Sequence, residues 1–288
     1  MAFMETNQQN IGLRMHDAAP GTLEQRAKNI IGQGFSCVHL ALGKVLDGRF
    51  MNPAAATPGL AHSVKKGLQG LDIAVLGCYL NLTHPDESVY QETVKKYLAH
   101  LSLANWMQAG VVGTETGNPN KDYAYDPERS HTDEALELFI RRVQPVVKAA
   151  EKAGATLAIE PVYTHIVSDG KRARRVLDAI ASPNLKIILD PINLLHKDNM
   201  HRRDEVIAEA MELLCPEIAI IHIKDYIWDG ISGRPDECAA GLGQMDYSHI
   251  LRFVMQNKPH IQMTLECTKP ENAEGARLFI ARQLAEII

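Results

Sequence analysis

The chain has 288 residues, of which 45% are hydrophobic, and its formal net charge at pH 7 is −5. This length is normal for one α/β barrel and allows an extensive core. An acidic balance without long runs of Lys or Arg argues against a general nucleic-acid groove.

Sequence signals for membrane insertion and secretion are absent. No apolar stretch has the length of a membrane span, and residues 1–10 lack the basic and apolar regions of a signal peptide. The five cysteines form an odd set without a Cys-x-x-Cys pair, which is typical of reduced thiols. We therefore expect a cytoplasmic protein with no nucleic-acid or membrane partner. The sequence does not decide whether the chain forms a homo-oligomer, either a dimer or a tetramer.

Strand-like and helix-like patterns alternate along the whole chain. Short apolar runs predict strands at 11–16, 36–42, 73–80, 110–115, 156–160, 186–190, 219–222 and 262–266. A period near 3.6 predicts helices at 22–31, 90–107, 133–153, 171–180, 203–214 and 272–288. Glycines 34, 110 and 154, just before strands, are expected to be left-handed helix caps. Eight strand–helix repeats predict a single (β/α)8 TIM barrel that spans residues 1–288 as one domain.

Four predicted strands in the second half of the chain end in residues that commonly bind metal ions. They are Glu160, Asp190, His222 and Glu266. In a parallel barrel these strand ends converge on one face, so the set predicts a site for one divalent cation. Carboxylates favour Mn²⁺, Mg²⁺ or Co²⁺ and the imidazole adds affinity for later metals, so Mn²⁺ is expected and Zn²⁺ is an alternative.

Three long connections support this barrel and its active face. They span about 43–60, 116–132 and 225–247, after predicted strands two, four and seven. Loops of this length usually have a function, and here they are expected to wall a pocket. A doubly wound sheet does not explain ligands at four consecutive strand ends, and no Gly-x-Gly-x-x-Gly follows the first strand.

The ligand set also suggests a reaction. A cation that holds the carbonyl and the neighbouring hydroxyl of a ketose stabilises the enediolate formed when the intervening C–H proton is removed. Glu160 and Glu266 are expected to flank such a substrate, one abstracting the proton and the other returning it. Return to the opposite face gives epimerisation, and return to the adjacent carbon gives isomerisation.

The motifs around these residues resemble a known family, the xylose isomerase-like barrels, over essentially the whole chain. The motifs are Ile159-Glu160-Pro161, Leu189-Asp190-Pro191-Ile192-Asn193, His222-Ile223-Lys224-Asp225 and Leu265-Glu266-Cys267. The family includes sugar phosphate isomerases and epimerases, ketose 3-epimerases, inosose dehydratases and endonuclease IV. The resemblance implies that the four predicted ligands hold one metal ion and that the two glutamates are the acid and the base.

Departures from the family pattern affect the choice of reaction. Residues 76–82 and 113–117 lack the zinc-binding histidines of the endonuclease branch, so a phosphodiesterase is the third reading. Asn193 stands where sugar-specific branches often have His. The epimerases' substrate-binding Arg is missing from residues 225–229, and Arg234, further along the chain, is a candidate replacement. We expect a divalent-metal-dependent isomerase or epimerase of a sugar or sugar phosphate; the alternative is a lyase of the inosose dehydratase type.

Further residues are candidates for substrate contacts. His16 lies on predicted strand one and His165 just after strand five. Trp228 follows strand seven, where it is expected to stack on a sugar face. Lys224 either contacts substrate oxygens or pairs with Asp225. Cys267 is expected to point away from the lumen, into the layer between barrel and helices.

Overall fold

The computed structural model describes residues 10–287, which contain a closed barrel of eight parallel strands. The barrel strands are β1 (Ile11–Arg14), β2 (Cys37–Leu40), β3 (Asp72–Gly77), β4 (Val111–Glu115), β5 (Leu157–Glu160), β6 (Leu185–Leu189), β7 (Ile218–Ile223) and β10 (Gln262–Leu265). Between β7 and β10, β8 (Asp225–Ile227) and β9 (Asp236–Cys238) form an antiparallel hairpin. Each predicted barrel strand overlaps an observed one, so the TIM-barrel prediction is confirmed.

Parallel pairing runs around the whole barrel and closes between the first and last strands. Leu13 of β1 lies opposite Leu265 of β10 on one side and opposite Val38 of β2 on the other. Glu160, the last residue of β5, lies opposite Glu115, the last residue of β4. This register brings the ends of neighbouring strands to the same edge of the barrel.

The helices lie between successive strands. They are α1 (Leu23–Gly32), α2 (Leu42–Val45), α3 (Pro58–Gly67), α4 (Glu87–Met107), α5 (Pro127–Ser130), α6 (Asp133–Ala153), α7 (Gly170–Ile180), α8 (Arg203–Leu214), α9 (Ser248–Asn257) and α10 (Ala273–Ile287). The six predicted helices correspond to α1, α4, α6, α7, α8 and α10. Among the described helices, none is long and apolar enough to cross a membrane.

Local signals explain where these helices begin and end. The Thr132 hydroxyl accepts the Ala135 N–H at the start of α6, and Gly154 ends that helix with φ of 63°. Gly34 also has positive φ, at 81°. At Gly110, the remaining predicted cap, the left-handed residue is instead Gln108, with φ of 56°. Gly110 has another reason to be glycine, since a Cβ there would lie 2.8 Å from the Ala74 carbonyl oxygen.

Two hydrophobic clusters support the strand ends. The larger one fills the layer between strands and helices, and includes Tyr97 and Phe139 with no exposed surface. The smaller one consists of strand residues such as Val75, Ile188 and Ile220. With apolar residues on both sides of the sheet, the strands provide a rigid frame for polar side chains at one edge.

Candidate metal centre and active site

The four predicted metal ligands come together at one edge of the barrel. Glu160 is the last residue of β5 and His222 is near the end of β7, while Asp190 and Glu266 directly follow β6 and β10. All are buried, with exposed fractions of 7% or less. Ligand atoms of Glu160, Asp190 and His222 lie within 4.8 Å of one another, and a second such group contains His222, Glu266 and His39.

His222 is the residue that both groups share. Its Nδ1 lies 3.3 Å from Oε1 of Glu160 and 3.3 Å from Oε1 of Glu266. Burial lowers the pKa of His222, but the two glutamates outweigh that effect and raise it to about 9. Burial likewise raises the pKa of each glutamate, and the adjacent His222 reverses the sign, so both carboxyl groups have pKa values below the usual range.

The donor set fits a divalent cation. The three buried carboxylates belong to two groups that share the imidazole of His222, and this combination of hard oxygen ligands and a nitrogen ligand suits Mn²⁺ and its neighbours. Nε2 of His222 is buried without a hydrogen-bond partner among the described residues, while Oδ2 of Asp190 makes no hydrogen bond there but pairs with the ammonium group of Lys224. Burial raises the pKa of Asp190 to about 6, even though Lys224 opposes that shift. A cation would stabilise the ionised form of all three carboxylates.

Lys224 lies beside this group and is itself buried. Its Nζ lies 3.2 Å from Oδ2 of Asp190 and 2.9 Å from Oε1 of Glu237, and it donates to Oδ1 of Asn193 at 2.8 Å. Burial lowers the pKa of Lys224, but Asp190 and then Glu237 reverse this effect, so the amine stays charged. Of the two predicted roles, pairing with Asp225 is not observed among the ion pairs of residues 10–287, where Lys224 pairs with Asp190 and Glu237.

Asn193 connects Lys224 to the glutamate of β5. Its Nδ2 donates to Oε1 of Glu160 at 2.7 Å, while its Oδ1 accepts from Lys224 and, at 3.3 Å, from Arg234. Asp190 fixes the backbone here, because its Oδ1 accepts the N–H groups of Ile192 and Asn193. The Asp-Pro-Ile-Asn segment thus orients one ligand and one amide in a single turn.

A cavity of about 590 Å³ opens above the cluster. Five of the six predicted substrate-binding residues line it, namely His16, His165, Asn193, Lys224 and Arg234. The sixth, Trp228, does not line it, because its indole N–H is turned to the Ser232 carbonyl at 3.3 Å. His16 lies beyond β1, in a 3-10 helix at Met15–Asp17, and so belongs to the rim and not to the strand.

The first half of the barrel also supplies side chains to the cavity, and sequence patterns did not single these out. They are Arg14, His39, Tyr79 and Glu115. Arg14 places an Nη1 3.6 Å from Oε2 of Glu266, and the Tyr79 hydroxyl donates to Oε2 of Glu160 at 3.2 Å. The signal that could have found them was their position at the ends of predicted strands.

Glu115 is a fifth carboxyl group near this centre, after the three ligands and Glu237. It ends β4, accepts a hydrogen bond from the Tyr123 hydroxyl at 3.1 Å, and lies 3.8 Å from Nδ1 of His165. Burial, followed by the charge of Glu160, raises the pKa of Glu115 to about 7. Burial lowers the pKa of His165 to about 4, so the imidazole is neutral at pH 7.

The hairpin of β8 and β9 covers one side of the cavity through Arg234 and Glu237. One buried carboxylate, Asp225, holds its base: Oδ1 accepts the N–H groups of Tyr226 and Met245, and Oδ2 accepts that of Gly241. The Asp225 side chain thus connects the start of the hairpin to residues 241 and 245 beyond its second strand. Gly230, near the tip of the hairpin, has φ of 83°, and a Cβ at this residue would have no neighbouring atom within 4 Å.

Cys267 does not follow the alternation of a strand. β10 ends at Leu265, and Cys267 has φ of 53°, outside the extended region. Its thiol donates to Oε2 of Glu237 at 3.4 Å, which places it against the hairpin. The prediction that it points into the layer between barrel and helices is wrong, because the strand ended two residues earlier.

Comparisons with known proteins identify the family. The xylose isomerase-like TIM barrel family matches residues 30–283, and the chain belongs to it. Among curated proteins, none matches significantly by sequence.

Solved structures agree on the fold at low sequence identity. The 3-keto-D-glucoside 4-epimerase YcjR from E. coli has a TM-score of 0.72 at 14% identity, covering 96% of this chain and 99% of its own. The probable 3-DHS dehydratase AsbF from Bacillus anthracis has a TM-score of 0.70 at 16% identity, and the match covers 95% of this chain and 98% of AsbF. A xylose isomerase-like TIM barrel protein from Mycobacterium smegmatis in complex with magnesium has a TM-score of 0.72 at 16% identity, covering 99% and 98%.

Proposed function

We propose that the protein is a divalent-metal-dependent isomerase or epimerase of a sugar or sugar phosphate, in which Glu160 and Glu266 transfer the substrate proton. The observation that carries this proposal is the arrangement of the two glutamates. Each places Oε1 3.3 Å from Nδ1 of His222, and both line the same cavity.

Glu160, Asp190, His222 and Glu266 would hold one ion, with Mn²⁺ proposed and Mg²⁺, Co²⁺ or Zn²⁺ as alternatives. When bound, such an ion would act as a Lewis acid towards adjacent oxygens of a substrate. The proposal is supported by the magnesium complex of the Mycobacterium smegmatis barrel.

The contacts of the glutamates divide their oxygens into two kinds. The Oε1 atoms face His222 and are also engaged by Asn193 on one glutamate. The Oε2 atoms contact side chains of the first half instead, a Tyr79 hydroxyl at 3.2 Å from Glu160 and an Arg14 guanidinium at 3.6 Å from Glu266. We therefore assign the Oε2 atoms to proton transfer, one accepting the C–H proton and the other returning it.

The remaining side chains bind and orient the substrate. Lys224 and Arg234 both donate to Asn193 and border the cavity, so they can also donate to substrate oxygens. His165, which is neutral at pH 7, can donate to or accept from a hydroxyl group. Arg234 comes from the hairpin, so this loop would contribute to the choice of sugar.

The proposal is tested by incubating the purified chain and Mn²⁺ with a panel of ketoses and their phosphates in D₂O. Deuterium at carbon 3 of recovered sugar would support epimerisation, and deuterium at carbon 1 or 2 would support isomerisation. Glu160→Gln is the matched control, since its amide can still offer an oxygen to a cation but cannot accept a C–H proton. Deuterium incorporation by that variant at the wild-type rate would contradict the assignment.

A lyase is the second candidate, and Glu115 favours it. This carboxyl group lies on the strand next to Glu160 and lines the same cavity, so it could protonate a hydroxyl leaving from the β-carbon. The structural likeness to a probable dehydratase is consistent with this chemistry. In the same D₂O assay, loss of water without reprotonated ketose would select the lyase.

A further inference from the structure

His39 is a buried imidazole for which neither the sequence motifs nor the four-residue ligand set accounts. It lies near the end of β2, is 3% exposed, and lines the cavity. Neither of its ring nitrogens has a hydrogen-bond partner within residues 10–287. Burying a polar group without a partner costs free energy, so such a group in a native structure calls for an explanation.

The ring is held firmly in place. It stacks on Tyr79 on one side and on His222 on the other, with ring centroids 5.4 Å apart in both cases and interplanar angles of 28° and 18°. Gly77 makes room for the ring, because a Cβ at that residue would lie 2.7 Å from Nε2 of His39. The orientation is therefore set by packing, which leaves Nδ1 directed to the ligand cluster.

The distances suit coordination better than hydrogen bonding. Nδ1 of His39 lies 3.7 Å from Oε1 of Glu266, too far for a hydrogen bond. Two ligands with bonds of about 2.1 Å to one ion are separated by about 3 to 4.2 Å, according to the angle between them. The 3.3 Å separations between His222 and the glutamates fall in the same range.

We propose that His39 is a fifth protein ligand of the same ion, through Nδ1, and that the centre contains two imidazoles and three carboxylates. This inference rests on the proposed function, because it concerns the metal ion assumed there. Its geometric basis is that His39, His222 and Glu266 place ligand atoms within 4.8 Å of one another.

A second imidazole changes what the site binds. Imidazole nitrogen favours Co²⁺ and Zn²⁺ relative to Mg²⁺, so His39 would increase the preference for later transition metals. It would also occupy a coordination position near β2. Five protein ligands would leave fewer positions on the ion for substrate oxygens than four, so the cavity side chains would have a larger part in orienting the substrate.

The test counts histidine ligands directly, without a substrate. The full chain is labelled with ¹⁵N-histidine, freed of metal with a chelator and loaded with Mn²⁺, and pulsed electron paramagnetic resonance counts the coupled nitrogens. We expect two coupled imidazoles in the wild type and one in His39→Phe, which keeps a ring between Tyr79 and His222. His39→Ala serves as a second variant, and circular dichroism verifies that each variant is folded.

Metal affinity supplies an independent readout. Co²⁺ titration should show affinity reduced at least about 10- to 100-fold in His39→Phe, since loss of a mere outer-shell partner already has an effect of this size. His165→Phe, at a buried histidine of the same cavity outside the two ligand groups, should retain wild-type affinity.

The possible outcomes separate this inference from the proposed function. One coupled imidazole in wild-type protein that binds Mn²⁺ would overturn the role of His39 and leave the proposed function intact. Equal Co²⁺ affinity of wild type and His39→Phe would overturn it in the same way. Failure of the wild type to bind either ion would overturn both.

Discussion

The two halves of the barrel contribute to one cavity with side chains of different chemistry. The second half, β5 to β10, provides Glu160, Asp190, His222 and Glu266, which form the buried ligand cluster. The first half, β1 to β4, provides Arg14, His39, Tyr79 and Glu115, most of which contact those ligands. The second half therefore supplies the four predicted ligands and, through His222 and Lys224, most of the charge that keeps the carboxylates ionised, while the first half adds contacts to their outer oxygens.

The largest effect is expected for the two glutamates of the second half. Glu160→Gln and Glu266→Gln should each lower turnover at saturating Mn²⁺ by a factor on the order of 10² to 10⁴, the usual value of general acid–base participation. Bound metal, quantified in the same samples, should decrease far less. Near-normal turnover in a metal-loaded variant would reassign that carboxylate to ligation alone.

The next largest effect is a loss of folding stability when the buried ammonium group of Lys224, in the second half, is removed. Lys224→Met leaves Asp190 without its 3.2 Å partner, and breaking a buried ion pair typically costs about 3 to 5 kcal/mol. Urea denaturation at pH 7 with a chelator should show this loss. Lys171→Met, which breaks the exposed pair with Glu209, should cost less than about 1 kcal/mol. Equal losses would show that the burial of Lys224 contributes nothing.

A third prediction concerns Glu115 of the first half and its dependence on pH. The folded protein holds this proton up to a pKa of about 7, while an unperturbed glutamate releases it near 4.5. The folded state therefore binds more protons, and this carboxyl group makes stability fall as pH rises from 4.5 to 7.

In Glu115→Gln that contribution disappears. Relative to pH 4.5, the variant should gain about 1 to 3 kcal/mol over the wild type at pH 8, at 1.36 kcal/mol per pH unit of pKa separation. Parallel stability profiles for the two proteins, measured in the presence of a chelator, would contradict the assigned pKa.

The smallest effect is expected for Tyr79, also in the first half. Tyr79→Phe removes the hydroxyl that donates to Oε2 of Glu160 and keeps the ring that stacks on His39. Turnover should fall about tenfold, the lower end of the range for a hydrogen bond to a charged group. Metal affinity should fall less than in His39→Phe, because the hydroxyl contacts a proposed ligand and is not one itself. Unchanged turnover would show that the first half does not orient the base.

The difference between the halves also explains what the sequence could reveal. Glu160 and Asp190 each end a run of apolar residues and carry an ionisable group, so pattern and spacing identify them. His39 lies in Cys-Val-His-Leu, where all four side chains are buried and alternation gives no sign of its direction. Its importance depends on stacking with His222, a contact across 183 residues of sequence that no local pattern encodes.

Strand ends limited the prediction in another way. The alternation rule placed Cys267 on the outer face, but the rule holds only within a strand, and β10 ends at Leu265. The loop at 225–247 was expected to wall the pocket, yet its hairpin was not predicted, because Asp225 pairs with Cys238 across 13 residues and the Asp225 side chain accepts from Gly241 and Met245, contacts that no local pattern encodes. Trp228 then turns to Ser232.

The role of Asp225 has a consequence for how this protein could diverge. Since the Asp225 carboxylate joins the start of the hairpin to residues 241 and 245, we expect residues 228–233 at its tip to tolerate exchange or extension better than the base. Loop tips held by a fixed base are the usual sites of tolerated insertion. Descendants of this chain could therefore change the proposed substrate specificity at the tip, while the buried carboxylates of the barrel keep their positions.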